Sequence, residues 1–312
     1  MTDSPKNLSR REFATMAALA MPGVSALRAF APVTRTMSPR LPEPLAPFAG
    51  VVVGAITYSF RSIPKAEDII AALKQIGITE IELMSNHCEQ LAGAPQVGRG
   101  MEREPLVKWR ADAATNAGKV FAPVKKAFNN AGIDVRFLTY NMSRNTTAEE
   151  MEYAFQMAKG LKVKAITTST QVSVAEKIAP FADKHKMIVG YHGHDSESPD
   201  EFAKPESFAR AMAMSKYHWV NLDIGHFTAA GFDPVAYIRE HHARITNLHV
   251  KDRKKAHGAN VPWGQGDTPI KDVLQLLKKE KWNIPANIEF EYPGDAVTEV
   301  TKCFQFCQDA LK

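Results

Sequence analysis

Eight short apolar or β-branched runs recur along this chain at intervals that leave room for one helix after each, and that alternation limits the fold more than any single motif does. The runs are "VVVGAITY" (from Val51), "TEIELM" (Thr79), "IDVRFLTY" (Ile133), "VKAITTST" (Val163), "MIVGYH" (Met187), "HWVNLDI" (His218), "RITNLHV" (Arg244) and "ANIEFEY" (Ala286). Between them lie segments such as "AEDIIAALKQIG", "AEEMEYAFQMAKGLK" and "IKDVLQLLKKEK", with apolar residues three and four apart, the spacing of a helix that buries one face. Eight such units predict an α/β chain folded as a closed (β/α)8 TIM barrel over residues 50–312. An open doubly wound sheet would want a glycine-rich turn straight after its first strand, and "YSFRSIPK" is not one. With 45% hydrophobic and 23% charged residues the chain has apolar material for such a core, which excludes disorder.

Ahead of the barrel stands an address. "LSRREF" (residues 8–13) sets an arginine pair after a serine, and "FATMAALAMPGVSAL" follows as a mildly apolar stretch of small residues. That stretch is too short and too weakly apolar to span a bilayer, which takes about 20 residues. The pattern resembles a twin-arginine export signal. The resemblance implies a signal peptide over residues 1–31, export of the folded protein to the periplasm or beyond, and no stable membrane insertion afterwards. Val24-Ser25-Ala26 and Ala29-Phe30-Ala31 both satisfy the small-residue rule for cleavage, the second with Pro32 just beyond it. A Pro-rich linker, residues 32–49, joins the signal to the barrel. Four cations against two anions in the first 31 residues leave +3 of the net +5 for the rest, no nucleic-acid footprint. Three cysteines are an odd number, and Cys303 and Cys307 lie four apart on one expected helix, where disulfide geometry is poor. All three are expected as buried thiols.

In a parallel barrel the C-terminal ends of all strands face one rim, so polar residues at those ends converge in space. Read in order, the ends supply Glu82, then Tyr140 and Asn141, His192 and His194, Asp223 with His226 beyond it, His249 with Lys251 and Asp252, and finally Glu289 and Glu291. Side chains two apart on a strand share a face, which aligns His192 with His194, His249 with Lys251, and Glu289 with Glu291. Buried together without a counter-charge, such carboxylates would suffer desolvation and mutual repulsion, and a divalent cation relieves both. Mixed imidazole and carboxylate donors suit Mn²⁺, Fe²⁺, Co²⁺ or Zn²⁺ and argue against calcium, which wants oxygens only.

The succession "GYHGHD", "NLDIGHF", "NLHVKD", "IEFEYP", with "GAITYSFR" on the first run and "EIEL" on the second, resembles the xylose-isomerase-like barrel superfamily, its sugar phosphate isomerases and epimerases above all. The resemblance implies one divalent metal held by Glu, Asp, His and Glu on strands five to eight. Carried onto this chain, the Asp is Asp223, the His is His249 and the last Glu is Glu289, with Glu291 the alternative if the strand register differs. His226 matches a substrate-contacting histidine. On strand five this chain departs from the family: where the relatives place a glutamate that is both ligand and base, it has His192, with His194 behind it as a further candidate ligand. Export in the folded state implies that the metal is chosen in the cytoplasm, where scarce copper and zinc would spare a site for a weaker-binding ion, so Mn²⁺ is the expected cofactor, with Zn²⁺, Co²⁺ and Fe²⁺ as alternatives.

The activity so implied is a metal-dependent sugar isomerase or epimerase that takes a proton from the carbon beside a carbonyl through a metal-stabilised enediolate. Glu289 or a strand-five histidine would accept the proton. Lys251 would lend positive charge to the developing oxyanion, or else pair with Asp252 or Glu291. A two-base epimerisation needs a second acceptor, for which only His192, His194 or Glu82 is available. Expulsion of a leaving group from the β-carbon is the alternative outcome, a lyase or hydrolase of 3-keto-glycosides; it needs one base and suits both the missing glutamate and an exported enzyme. A non-catalytic sugar-binding protein would keep the pocket and lose the ligands, and a DNA-repair endonuclease would need a three-metal cluster and a basic groove. The expected partner is a small carbohydrate and no nucleic acid, and nothing in the chain opposes a homo-oligomer.

Three smaller expectations complete the reading. In "WGQGDTPIKDVL" (Trp263–Leu274), Asp267 or Thr268 is expected to cap a helix, and Trp263 is placed to wall the pocket. Residues 86–110 read as a long polar insertion on the catalytic rim, a lid with His87 as a solvated loop histidine. The methionines and aromatics read as core packing, with no nicotinamide fingerprint among them.

Overall fold

Eight parallel strands close on themselves in chain order: β1 Val53–Ile56, β2 Glu80–Met84, β3 Asp134–Thr139, β4 Ala165–Ser169, β5 Ile188–His192, β6 His218–Asp223, β7 Ile245–Val250 and β8 Ala286–Ile288. Closure is made by β1 and β8, with Ala55 opposite Ile288. The computed structural model from which these elements are taken describes residues 47–97 and 101–312; the arginine-pair segment and all but the last residues of the linker lie outside the described residues. Every strand falls inside one of the eight runs, and the predicted helices appear at Ala66–Ile76, Ala148–Leu161 and Ile270–Glu280.

Local chemistry sets the ends of these helices. The helix from Ala148 starts on a capping box, in which the Thr147 side chain accepts from the Glu150 amide at 3.2 Å and the Glu150 carboxylate accepts from the Thr147 amide at 3.0 Å. The helix from Ala66 stops at Gly77, whose φ of 90° is one that glycine adopts without a Cβ clash. Phe121, Phe128 and Phe155, among others, carry the helix layer onto the barrel and are fully buried. Truncating one of them to alanine costs about 3–5 kcal/mol.

The described residues hold eleven α-helices where the alternation predicts eight, and the three extra ones are Ser85–Leu91, Glu104–Thr115 and Ile224–Ala229. Two of them fall in the insertion at residues 86–110, whose described residues include parts of both helices. His87 is buried there, with Nδ1 3.0 Å from the Thr57 hydroxyl, and burial lowers its pKa to about 4. The solvated histidine of the sequence reading is thus a neutral packed one. Cys88, Cys303 and Cys307 are buried free thiols, as expected. No described helix is long and apolar enough to cross a membrane.

Two irregularities of register bear on the site. Pairing slips between Ile81 and Glu82, where Arg136 of β3 is left over, and between Val220 and Asn221, where Thr246 of β7 is left over. Such bulges re-aim the side chains that follow. Phe137 on β3 and Asn247 on β7 follow the extra residues, and Asn247 reaches Glu82.

Candidate active site

Asp223 shows how the fold builds the site. It ends β6 and caps the next helix, its Oδ1 accepting from the His226 amide at 2.7 Å. That capping duty is why a buried strand finishes on a carboxylate, with a histidine three residues later. The other oxygen, Oδ2, lies 2.9 Å from Lys251 Nζ, 3.8 Å from His226 Nε2 and 4.0 Å from His192 Nε2. His192, Asp223, His249 and Glu289 each offer one donor atom, and these four atoms all lie within 4.8 Å of one another. All four residues are buried.

Glu82 lies beneath this cluster with both oxygens engaged. Oε1 accepts from the Thr139 hydroxyl at 2.9 Å, from Asn221 Nδ2 at 3.3 Å and from the Thr167 hydroxyl. Oε2 accepts from Asn247 Nδ2 at 2.8 Å, Asn287 Nδ2 at 3.0 Å and His249 Nε2 at 2.7 Å. Burial alone would raise the Glu82 pKa, but the His249 imidazolium and these donors outweigh it and hold the carboxyl below its ordinary value. The second nitrogen of His249, Nδ1, sits 3.2 Å from Glu289 Oε2, so the ring bridges two carboxylates. Burial would lower its pKa, but those two charges lift it well above the ordinary histidine value.

Lys251 fills the space between the acids. Its Nζ is 2.9 Å from Asp223 Oδ2, 2.7 Å from Glu289 Oε2 and 2.5 Å from Glu291 Oε2; it contacts His226 Nε2 at 3.1 Å and makes no pair with Asp252. Burial opposes the charge, yet the three carboxylates win and keep the ammonium above its ordinary range. Asp252 instead receives the amides of Gly264, Gly266 and Thr268. A Cβ on Gly225, between Asp223 and His226, would run into the Lys251 side chain, so this turn admits only glycine if the lysine is to pass.

A cavity of about 210 Å³ opens over these groups and is lined from alternate strand positions, as the two-residue period requires. His194 and Glu291 line it outside the four convergent atoms. His194 Nε2 is 3.0 Å from the Ser169 hydroxyl, and burial, with the nearby His226 and Lys251, brings its pKa to about 4. Burial likewise keeps His192 well below the ordinary value. His226 is clamped on its other side, with Nδ1 3.2 Å from Asp195 Oδ1 and in contact with the Arg253 guanidinium.

Several of these residues were missed in the sequence. Asn221, Asn247 and Asn287 stand two positions before Asp223, His249 and Glu289 in "NLD", "NLH" and "NIE", and that triple repeat was the available signal for a second polar tier on the same inward face. Asp195 closes the quoted "GYHGHD" motif, and Arg253 directly follows "NLHVKD". Trp263 is corrected: it packs edge-on against Phe306 at 5.7 Å and does not line the cavity, because the chain after β7 folds back onto the C-terminal helix. Asp267 and Thr268 are corrected too, since the helix at Ile270 has no side-chain cap. Their oxygens accept from the Lys255 and Arg253 amides and tie down the loop instead.

The donor set fits a divalent ion. Two imidazoles and two carboxylates form a buried cage, the two acids match the charge of such a cation, and His192 Nδ1 is buried with no hydrogen-bond partner, while Asp223 Oδ2 has no polar partner closer than its ion pair with Lys251. The hold of Glu82 on His249 Nε2 is the kind of outer-layer support that would fix the ring if His249 held a metal.

Against known proteins, the family described as "Xylose isomerase-like TIM barrel" matches residues 143–307, a stretch of just over half the chain that includes all four convergent residues. The chain belongs to the xylose isomerase-like TIM barrel family. Within curated proteins it is 24% identical over 139 residues to the inosose dehydratase of Clostridium beijerinckii, an overlap of 43% of this chain and 40% of that protein's length. Among solved structures, the probable 3-DHS dehydratase AsbF of Bacillus anthracis superposes with a TM-score of 0.61 at 16% identity, over 81% of this chain and 97% of that one. A sugar phosphate isomerase/epimerase from Parabacteroides distasonis gives 0.58 at 16% identity, over 84% and 96%. The IOLI protein, solved with a zinc atom, gives 0.59 at 12%, over 83% and 96%. At these identities the solved structures establish the shared barrel.

Proposed function

We propose that this protein is a metal-dependent lyase of 3-keto-glycosides, removing a proton beside a carbonyl and expelling the oxygen substituent on the next carbon. The observation that carries the reading is the placement of proton acceptors. Three carboxylates line the cavity. Glu289 and Glu291 follow the same strand and share Lys251, while Glu82 is fully engaged by its six donors. The strand-five and strand-four positions offer His192, His194 and Ser169 and no carboxylate. An epimerase needs strong acceptors on both sides of the substrate, whereas elimination needs one, together with a donor for the leaving group. The names of the two dehydratases similar to this chain agree with that reaction type.

His192, Asp223, His249 and Glu289 would hold the divalent ion, Mn²⁺ in this proposal, and such an ion supplies several kcal/mol by polarising a bound carbonyl. Glu291, outside that set, takes the proton. Lys251 remains an ammonium and steadies negative charge on the substrate oxygen. The C–H electron pair becomes the new C=C bond, the C–O bond breaks with its electrons, and the leaving oxygen takes a proton from solvent water relayed by the Ser169 hydroxyl, which neutral His194 orients, the hydroxide left in solvent being neutralised when Glu291 releases its proton. Glu82 and His226 act on protein groups, the one holding His249 and the other Lys251. Export through the twin-arginine route belongs to the proposal on the strength of "LSRREF".

The test is metal analysis followed by incubation of the Mn²⁺-loaded protein with 3-keto-glycosides and with ketoses in deuterated water. Release of the aglycone is the expected result. Deuterium entering one carbon of an unchanged skeleton would replace the lyase with an isomerase or epimerase using the same proton abstraction. Absence of metal together with no exchange in any sugar would leave a sugar-binding protein.

A further inference from the structure

The cavity above the four convergent residues holds about 210 Å³, less than the roughly 300–1,000 Å³ of sites for drug-sized ligands. It has room for one sugar ring. Beside it opens a second hollow of about 440 Å³, and the two adjoin across Met84 and Asn141, which line both. The outer hollow is formed by the residues after β2 and β3 and by the start of the helix at Ala148.

Its chemistry is that of neutral hydrogen bonding. Ser85, Asn86, Ser143, Asn145 and Thr146 present hydroxyls and amides to it. Asn141 accepts from the Ser169 amide through Oδ1 at 2.9 Å, and its amide NH₂ has no protein partner among the described residues. The side chains of Asn86 and Asn145, both exposed, likewise make no hydrogen bond among the described residues. The charges are largely matched. Arg110 is held by Glu89 through two bonds of 2.7 and 3.1 Å and lies 3.7 Å from Glu150, which leaves Arg103 at the exposed edge as the cation without an ion pair among the described residues. A phosphate would want several charged donors at once. Hydroxyl groups would find what they need.

We propose that the outer hollow is a subsite for the second unit of a two-part substrate, a neutral hydroxylated ring joined through oxygen to the ring in the inner cavity. The inference rests on the elimination reading and names its leaving group. The proton goes to Glu291, its electron pair forms the double bond, the C–O bond to the outer unit breaks, and that unit departs as a free alcohol after its oxygen is protonated. Asn141 is placed between the two rings, bonded to the backbone of the same Ser169 whose hydroxyl meets His194.

The experiment is calorimetric titration of the Mn²⁺-loaded full chain with methyl glucoside and with maltose, cellobiose, trehalose and sucrose. At least one disaccharide should bind tenfold or more tightly than methyl glucoside. Asn86→Ala and Asn145→Ala, surface changes that spare the fold, should erase most of that advantage and leave methyl glucoside within twofold. Equal binding of all five sugars, equal weakening of both classes by the variants, or tighter binding of glucose 6-phosphate than of any disaccharide would overturn the subsite. Aglycone release from an oxidised methyl glycoside is read separately. Release without disaccharide preference defeats the subsite alone, and disaccharide preference without release from any oxidised glycoside defeats the elimination alone.

Discussion

Glu80 and Glu82 stand two residues apart on β2, both buried, and their surroundings push their pKa values in opposite directions. Glu80, toward the closed end of the barrel, has Arg136 at 3.5 Å as its ion-pair partner, and burial raises its pKa to about 7 despite that cation. Glu82, toward the rim, is just as buried, yet the imidazolium of His249 and a shell of amides and hydroxyls keep it charged. Burial alone does not decide whether a carboxylate stays ionised. The number and aim of its donors do, and this barrel concentrates donors at one end.

That contrast between rim and floor can be tested in order of expected effect. Asp223→Ala removes both a donor of the cage and a counter-charge of Lys251; retained metal, measured on the purified protein, should fall to background, and aglycone release by about 10³-fold or more. Normal metal content would break the claim that the rim acids form a cation cage. Glu291→Gln should lower kcat by about 10²–10³-fold with metal content unchanged, and loss of metal in that variant would move Glu291 into the cage. Glu82→Gln keeps the shape but not the charge that holds His249, and metal affinity in competition with a chelator should weaken by about 10–100-fold. An unchanged affinity would reduce Glu82 to packing.

Glu80→Gln should leave activity within about twofold and alter the pH dependence of stability instead. The sign follows from the raised pKa. Between pH 4.5 and 7 the unfolded chain has lost this proton while the folded chain still holds it, so Glu80 makes stability fall as pH rises, by at most about 3 kcal/mol. Urea midpoints across that range should decline less steeply in Glu80→Gln than in the parent. Parallel curves would mean that Arg136 already keeps Glu80 ionised.

The strands and principal helices were legible because alternation and three-to-four spacing are local properties of the chain. So were the four convergent residues, each standing at or next to the C-terminal end of its own strand. The support beneath them was not. Glu82 collects donors between 57 and 205 residues away in sequence, and no local pattern announces that they meet. The repeated Asn two places before three of the convergent residues was a visible signal whose meaning appears only once the interior is seen as tiers. His87 was misread for a similar reason, since its burial depends on Thr57, thirty residues earlier. The helices at Ser85–Leu91 and Glu104–Thr115 were not legible because polar composition hides them.

Lys251 gives the acids of the rim an occupant made of protein. Threaded past Gly225 and touching Asp223, Glu289 and Glu291, it lets the vessel be moulded before anything is poured into it. A cation proposed for the cage would therefore have to share oxygens with a tethered rival that already gathers them.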